Sequence, residues 1–425
     1  MNKIKNIFLF CFFLLLVEVL SGCGLINEEG LEPGNGELAR GKAVLFLRIN
    51  KISDSSRNAY SSDGEEAEAT PPIKEIINTI RIIIINSGNN IIEANELITA
   101  ADFNGTSPEF IHVFRKEILA GQKNIYILAN EESVTDISFQ GMEEDKDLAA
   151  VLDSYKEVTG NGAALISFLN SCLFSPSYLI TDNTIALPYS CYYSLNLVEG
   201  KEYDTPMYLV PDATKYSVSI SNTRKDDVVI KQLYINSIAD KNYLLPSVGK
   251  DNFYMEGLYW IDWLAQVARE SENHQEFEDN ENFNMTNGWI TDYILPAGTS
   301  HTPYDILQGE EITIDAQSNP NVGEEPVPGF KSLTSFYLPE SQNISSDLSK
   351  QNSQSYSIKM VVQAKNSNEE VTLTRTLSNV KSLFRNTHLN LKISFSEGYM
   401  HVYGEPVRWT VFPVVNGYLT QENEE

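Results

Sequence analysis

The chain has 425 residues, room for two domains of ordinary size once terminal extensions are set aside. Its 58 acidic against 31 basic residues give a formal net charge of −27, which argues against a nucleic-acid partner, since that role needs a basic face. Abundant Ile, Tyr, Phe and Val favour strands, and the acidic clusters Glu28-Glu29, Glu65-Glu66 and 422–425 read as solvated linkers and a solvated tail.

The N terminus carries Lys3 and Lys5, the apolar run Ile7 to Val17 and the small-residue exit Leu20-Ser21-Gly22-Cys23. This describes a secretory signal over residues 1–22. The apolar run is too short and too soon interrupted by Glu18 to serve as a membrane span. The exit looks like a bacterial lipobox, in which Cys23 becomes lipidated and starts the exported protein. Each buried CH₂ of an acyl chain contributes about 0.8 kcal/mol, so several chains on Cys23 would hold the protein on an outer membrane. Gly24 to Arg40 is a Gly, Pro and Glu-rich spacer.

Gly41 to Ile52 is a nearly continuous apolar run without Pro, expected as a strand buried on both faces through Val44, Leu45, Phe46, Leu47 and Ile49. The polar stretch after it carries Arg57, followed by Asn58, a cut site for a trypsin-like protease if the loop is exposed. Residues 23–57 are therefore expected to act as a tether plus a removable strand, followed by an N-terminal domain over 58–203 and a C-terminal domain over 204–425.

Ile73 to Ile85 predicts a central strand, ending in a turn at Asn86 to Asn89. Phe110–Leu119 and Asn124–Asn130 predict a hairpin about Ala120 to Lys123. Leu148, Val151, Leu152 and Tyr155 follow helical spacing within 145–156, and Ala163–Leu169 suits a second helix. Ile185–Tyr189 and Tyr192–Val198 return to strands. Lys215–Ile220 and Val228–Ile235 alternate as half-buried antiparallel strands. Met255 to Arg269 holds a weak helical stripe with Trp260 and Trp263, read mainly as core. Asp279, Glu281 and Asn282 miss the spacing and Gly of a calcium loop. Thr334–Glu340 is a strand stopped at Pro339, Ser355–Ala364 and Val371–Leu377 form a hairpin, and His388–Phe395 and Val407–Val415 are the last strands.

Chemistry is sparse. Cys172 and Cys191 are two buried thiols or, in an exported protein, one disulfide. No Cys/His spacing suits zinc, and none of the five histidines stands at ligand or triad spacing. Nucleophile-elbow, zinc-protease, dinucleotide and phosphate-loop patterns are absent. The chain reads as a non-enzyme with no cofactor, no metal and no catalytic residue. The competing readings are a surface glycan-binding lipoprotein using Trp260, Trp263 and Trp289, and a hydrolase with a dispersed carboxylate pair.

Several stretches resemble the fimbrillins of Bacteroidales, the subunits of lipoprotein-derived pili. Ala120-Gly121-Gln122 through Ala129-Asn130 looks like the family's "AGQ" turn and its strand ending in "AN". Arg385-Asn386-Thr387-His388 opens a strand like its late "RNH" strand, and Val407-Arg408-Trp409 resembles its near-terminal one. Phe336-Tyr337-Leu338-Pro339-Glu340 looks like a box of accessory and tip subunits, with Ser341 where Asn is usual; Arg57 with Asn58 resembles its maturation site. The resemblance implies a mainly β fold of two tandem transthyretin-like antiparallel β-sandwich (Greek-key) domains with a few short helices. It implies export as a lipoprotein, cleavage after Arg57 by a trypsin-like protease, and assembly with other fimbrial subunits by donor-strand exchange. The expected role is a structural or adhesive subunit, an accessory or tip component in first place and a shaft subunit in second, with a host or bacterial surface ligand. The donor strand expected from this chain holds Trp409, Val411, Phe412, Val414 and Val415.

Overall fold

The computed structural model of the protein describes residues 41–50, 73–104, 110–139, 142–143, 147–157, 160–176, 185–236, 238–245, 303–316, 331–341, 356–377, 383, 385–396 and 399–408. In chain order the first half forms β1 (Lys42–Asn50), β2 (Thr79–Asn86), β3 (Ile91–Thr99), β4 (Phe110–Leu119), β5 (Gly121–Ala129), β6 (Val134–Phe139) and β7 (Met142–Glu143). Helices α1 (Leu148–Ser154) and α2 (Gly162–Ser171) follow, then β8 (Leu173–Pro176), β9 (Tyr189–Leu197), β10 (Glu202–Tyr208) and β11 (Val210–Pro211). The second half adds β12 (Thr214–Asn222), β13 (Val228–Ile235), β14 (Asn242–Tyr243), β15 (Tyr304–Asp305), β16 (Ile312–Ile314), β17 (Lys331–Ser332), β18 (Phe336–Leu338), β19 (Tyr356–Ala364), β20 (Glu370–Leu377), β21 (Thr387–Ser396) and β22 (Tyr399–Arg408).

The protein is mainly β, built as two sandwiches in tandem. In the first, a three-stranded sheet ordered β10-β1-β4 joins a five-stranded sheet ordered β11-β9-β5-β2-β3 through one cluster of buried apolar side chains. α1 and α2 add Leu148, Leu152, Leu165, Phe168 and Leu169 to that cluster. Asp147 starts α1 by accepting a hydrogen bond from the Ala150 amide at 2.7 Å. α2 lies so close to the sheet that a Cβ on Gly162 would meet the Asn90 carbonyl oxygen and Ile85 Cγ2 at 2.6 Å each. In the second sandwich β12, β21 and β22 run side by side with β17 and β18 along β12, and β13, β19 and β20 form the facing sheet. A separate apolar cluster including Tyr216, Val218, Ile230, Ile358 and Leu391 fills it. Among the described strands pairing is antiparallel apart from two pairs, β1 with β10 and β12 with β21.

Several expectations change. Phe110–Leu119 and the strand after Ala120 are not a hairpin: β4 pairs with β1, whereas β5 pairs with β2 and β9. The chain changes sheets at Gly121, whose φ of +112° lies in a region that suits glycine. β13 is antiparallel to its partners, as expected, and β12 is antiparallel to β17 and β18 but runs parallel to β21. The division drawn at 203/204 falls inside β10, which belongs to the first sandwich; β12, the first strand of the second, starts at Thr214. β14 returns to the first half, where it pairs with β8. The last described strand, β22, starts at Tyr399, and the strand expected over 407–415 lies mostly outside the described residues. The 356–377 hairpin has the expected partners, β19 and β20. Cys172 and Cys191 are buried free thiols.

Candidate functional site

β1 is the feature on which a function can be built. It occupies the middle of its sheet, parallel to β10 from Val44↔Glu202 to Asn50↔Tyr208 and antiparallel to β4 from Lys42↔Leu119 to Ile49↔His112. Its side chains alternate. Ala43, Leu45, Leu47 and Ile49 are all 0% exposed in the core. On the other face Val44 is buried, while Phe46 and Arg48 are half-buried. The expectation of burial on both faces is thus corrected, because among the described residues nothing closes the outer face over Phe46 and Arg48, which stay half-buried. Those two are instead shielded by charged neighbours. The Arg115 guanidinium lies 5.4 Å from the Phe46 ring centroid, and Arg48 Nε is 2.7 Å from Asp204 Oδ1.

The start of the strand is tied down by main chain. Gly41 sits at φ +82° and its carbonyl accepts from the Ala120 amide at 2.7 Å. The Gly200 amide donates to Lys42 O at 2.8 Å, and the Val44 amide to Lys201 O at 3.0 Å. Burial decides the energetics. Leu45, Leu47 and Ile49 are worth about 1.5–3 kcal/mol each, whereas a half-exposed pair such as Arg48–Asp204 is worth at most about 1 kcal/mol. Among the described strands β10 pairs with β1 alone. Taking β1 out would open a slot between β4 and β10, lined by apolar side chains and by unpaired backbone groups on both walls.

A second constellation joins the two halves. Arg385, fully buried, donates from Nε and Nη2 to Glu340 Oε1 at 3.0 and 2.6 Å, from Nη1 to Ser190 Oγ at 3.0 Å and to Asp212, and from Nη2 to Tyr243 O at 2.8 Å. Its own amide donates to Glu340 Oε2 at 3.1 Å. Burial pushes the Asp212 carboxyl up to about 8, against the pull of Arg385 and the Ser190 hydroxyl and with a further push from Glu340. Nearby, Lys215 Nζ and Tyr337 Oη both donate to Glu75 Oε1 at 2.8 Å. Asn386, at φ 62°, donates its amide to Ala213 O at 2.9 Å. Ser190, Asp212 and Glu75 come from the first half, and Glu340, Arg385, Lys215 and Tyr337 from the second.

Of the sequence-predicted site residues, the structure brings Val44, Leu45, Phe46, Leu47 and Ile49 together on β1. Cys23, Arg57, Asn58, Trp409, Val411, Phe412, Val414 and Val415 lie outside the described residues, as do Trp260, Trp263, Trp289, Asp279, Glu281 and Asn282. Sequence reasoning missed β10 as a slot wall and missed the Arg385 cluster. The signal for the latter is present in the chain, where Glu340 ends one motif-like stretch and Arg385 opens another. His388 lies in β21 with Nε2 2.8 Å from Ser217 Oγ. Among the described residues no group of three or more His, Cys, Asp or Glu is placed to hold a metal ion, and no helix is long and apolar enough to cross a membrane.

No family model matches the chain, and no curated protein sequence does. Solved structures that overlap with it include the tip fimbrial protein Mfa3 from Porphyromonas gingivalis with a C-terminal truncation, at 9% identity and TM-score 0.46, covering 86% of this chain and 100% of that one. A candidate cell adhesion protein from Parabacteroides distasonis overlaps at 12% identity and TM-score 0.43, covering 87% and 98%. A fimbrial assembly protein from the same species overlaps at 7% identity and TM-score 0.37, covering 86% and 94%.

Proposed function

We propose that this chain is a structural or adhesive subunit of a bacterial surface fimbria, an accessory or tip component, made as an exported lipoprotein and assembled by exchange of β1 for a strand of another subunit. The observation that carries this reading is the seat of β1. A strand with four fully buried core side chains lies between β4 and β10, only seven residues before Arg57. Lipid on Cys23 holds the precursor at the outer membrane. A trypsin-like protease cutting between Arg57 and Asn58 severs tether and strand in one step.

The emptied slot is refilled from a neighbour. Trp409, Val411, Phe412, Val414 and Val415, immediately after β22, supply apolar side chains for that purpose, with Pro413 at a break in the ladder. Each side chain re-buried regains about 1.5–3 kcal/mol and each ladder bond about 0.5–1.5 kcal/mol net. Head-to-tail donation that does not close yields a fibre.

The test is limited digestion of the purified precursor with a trypsin-like protease, followed by mass and size. A cut after Arg57, release of β1 and growth of higher-order species are expected. Assembly by Arg57→Ala at the wild-type rate would overturn the cleavage step. Assembly by a chain shortened after Arg408 would overturn the assignment of the donor.

A further inference from the structure

β2 and β5 place Asn86 and Lys123 directly opposite each other. Residues in register on neighbouring strands project to the same face, and this pair continues the row formed by Ile84 with Ile125 and Ile82 with Ile127, all buried in the core. Lys123 is 0% exposed and Asn86 7%. A third residue joins them from β3. Ile84 stands opposite Ala94 and Ile85 opposite Ile92, so Glu93 is the extra residue of a bulge, a device that re-aims a side chain. The Lys123 Nζ lies 2.9 Å from each carboxylate oxygen of Glu93. Asn86 Nδ2 donates to Glu93 Oε1 at 3.1 Å, and Asn86 Oδ1 accepts from the Gly88 amide at 3.0 Å.

An amine and a carboxamide thus share one carboxylate in a site nearly closed to water. The carboxamide oxygen is already held by a backbone N–H, which suits a developing negative charge. We propose that Lys123 and Asn86 condense into an intramolecular amide cross-link between β5 and β2, with Glu93 carrying the protons.

Glu93 takes a proton from the Lys123 ammonium. The freed lone pair attacks Cγ of Asn86; the Nζ–Cγ bond forms and the C=O pair moves onto Oδ1, facing the Gly88 amide. Glu93 hands its proton to Nδ2 and takes a second from Nζ. The Cγ–Nδ2 bond breaks, the C=O re-forms and ammonia leaves. No electron acceptor or cofactor is needed. A buried ion pair is replaced by a neutral amide beside a neutral acid, which favours the product where charges are costly to keep. Fixed proximity of the two groups supplies the rate advantage of an intramolecular reaction.

The experiment is the intact mass of the full chain under denaturing conditions, with its N terminus determined in parallel. The expected mass falls short of the sequence by one ammonia. Trypsin then leaves one branched peptide joining 82–115 to 117–146, uncut after Lys123. Glu93→Gln, which keeps the shape but carries no proton, and Lys123→Met are both expected at full mass. Full mass for the wild type, with the two peptides recovered separately, overturns the proposal and leaves the contacts as a buried ion pair. A deficit that persists in Lys123→Met is succinimide formation at Asn86 and overturns it equally. If Glu93→Gln does not fold, the wild-type mass and the branched peptide decide alone.

Discussion

Arg385 and Glu340 are both fully buried and meet through two guanidinium nitrogens and one backbone amide, at 3.0, 2.6 and 3.1 Å. Multiple charge-assisted contacts fix the geometry as well as the strength of such a pair. Because Asp212 and Ser190 on the first sandwich share the same guanidinium, the pair also sets how the two halves meet. Arg385→Met leaves Glu340 buried without its cation and Asp212 without its guanidinium donor. Loss of one partner of a buried pair costs about 3–5 kcal/mol, and that loss is expected in the urea midpoint, together with faster proteolysis between β11 and β12.

The Asp212 carboxyl has a definite pH signature. Unfolded it titrates near 3.8, and burial raises it in the folded chain to about 8. Between those values the folded chain holds one more proton than the unfolded chain, so this group makes stability fall as pH rises through the window and level off above it. Asp212→Asn removes that contribution. Melting temperatures of wild type and variant across the window are expected to differ in slope, the wild type declining more steeply; equal slopes would count against a raised Asp212.

Within β1 the two faces are expected to respond unequally. Leu45→Ala and Leu47→Ala each cut a cavity in the core and cost about 2–5 kcal/mol. Arg48→Ala removes the half-exposed ion pair with Asp204, a contact worth about 1 kcal/mol or less. Denaturant unfolding of the uncleaved protein measures both. Comparable losses on the two faces would mean that the outer face is covered by something further.

Removal of β1 is expected to expose β10 and β4. Each has β1 as its only ladder partner among the described strands, whereas β2 lies between β5 and β3. Hydrogen exchange of the cleaved protein should therefore quicken over Glu202–Tyr208 by far more than over Thr79–Asn86. Unchanged protection across β10 would show that another segment holds it.

Composition and alternation make the mainly β architecture legible, and the apolar run at 43–49 marks β1. Partners are not legible, because alternation tells which face a residue takes and not which strand lies beside it. Ala120-Gly121 looks like a hairpin turn for that reason, although Gly121 carries the chain from one sheet to the other. β10 reads as a boundary because Asp204 and Pro206 obscure the weaker alternation of Tyr203, Thr205 and Met207. Asn130 is legible only as a motif letter, and its role emerges from the fold. Fully buried at φ 55°, it accepts from the Asn78 amide at 2.7 Å and donates to Ile76 O and Leu187 O at 2.9 and 2.6 Å. Arg385 and Glu340 lie 45 positions apart, a separation at which no local pattern announces a pair.

The central place of β1 has a mechanical side. A pull along the strand axis loads the rungs shared with β4 and those shared with β10 together, so all must yield in one event. A pull across the sheet opens them one after another. A filament joined through this slot, with tension running along the seated strand, would hold in shear and give way only to peeling, a useful asymmetry for a surface appendage under flow.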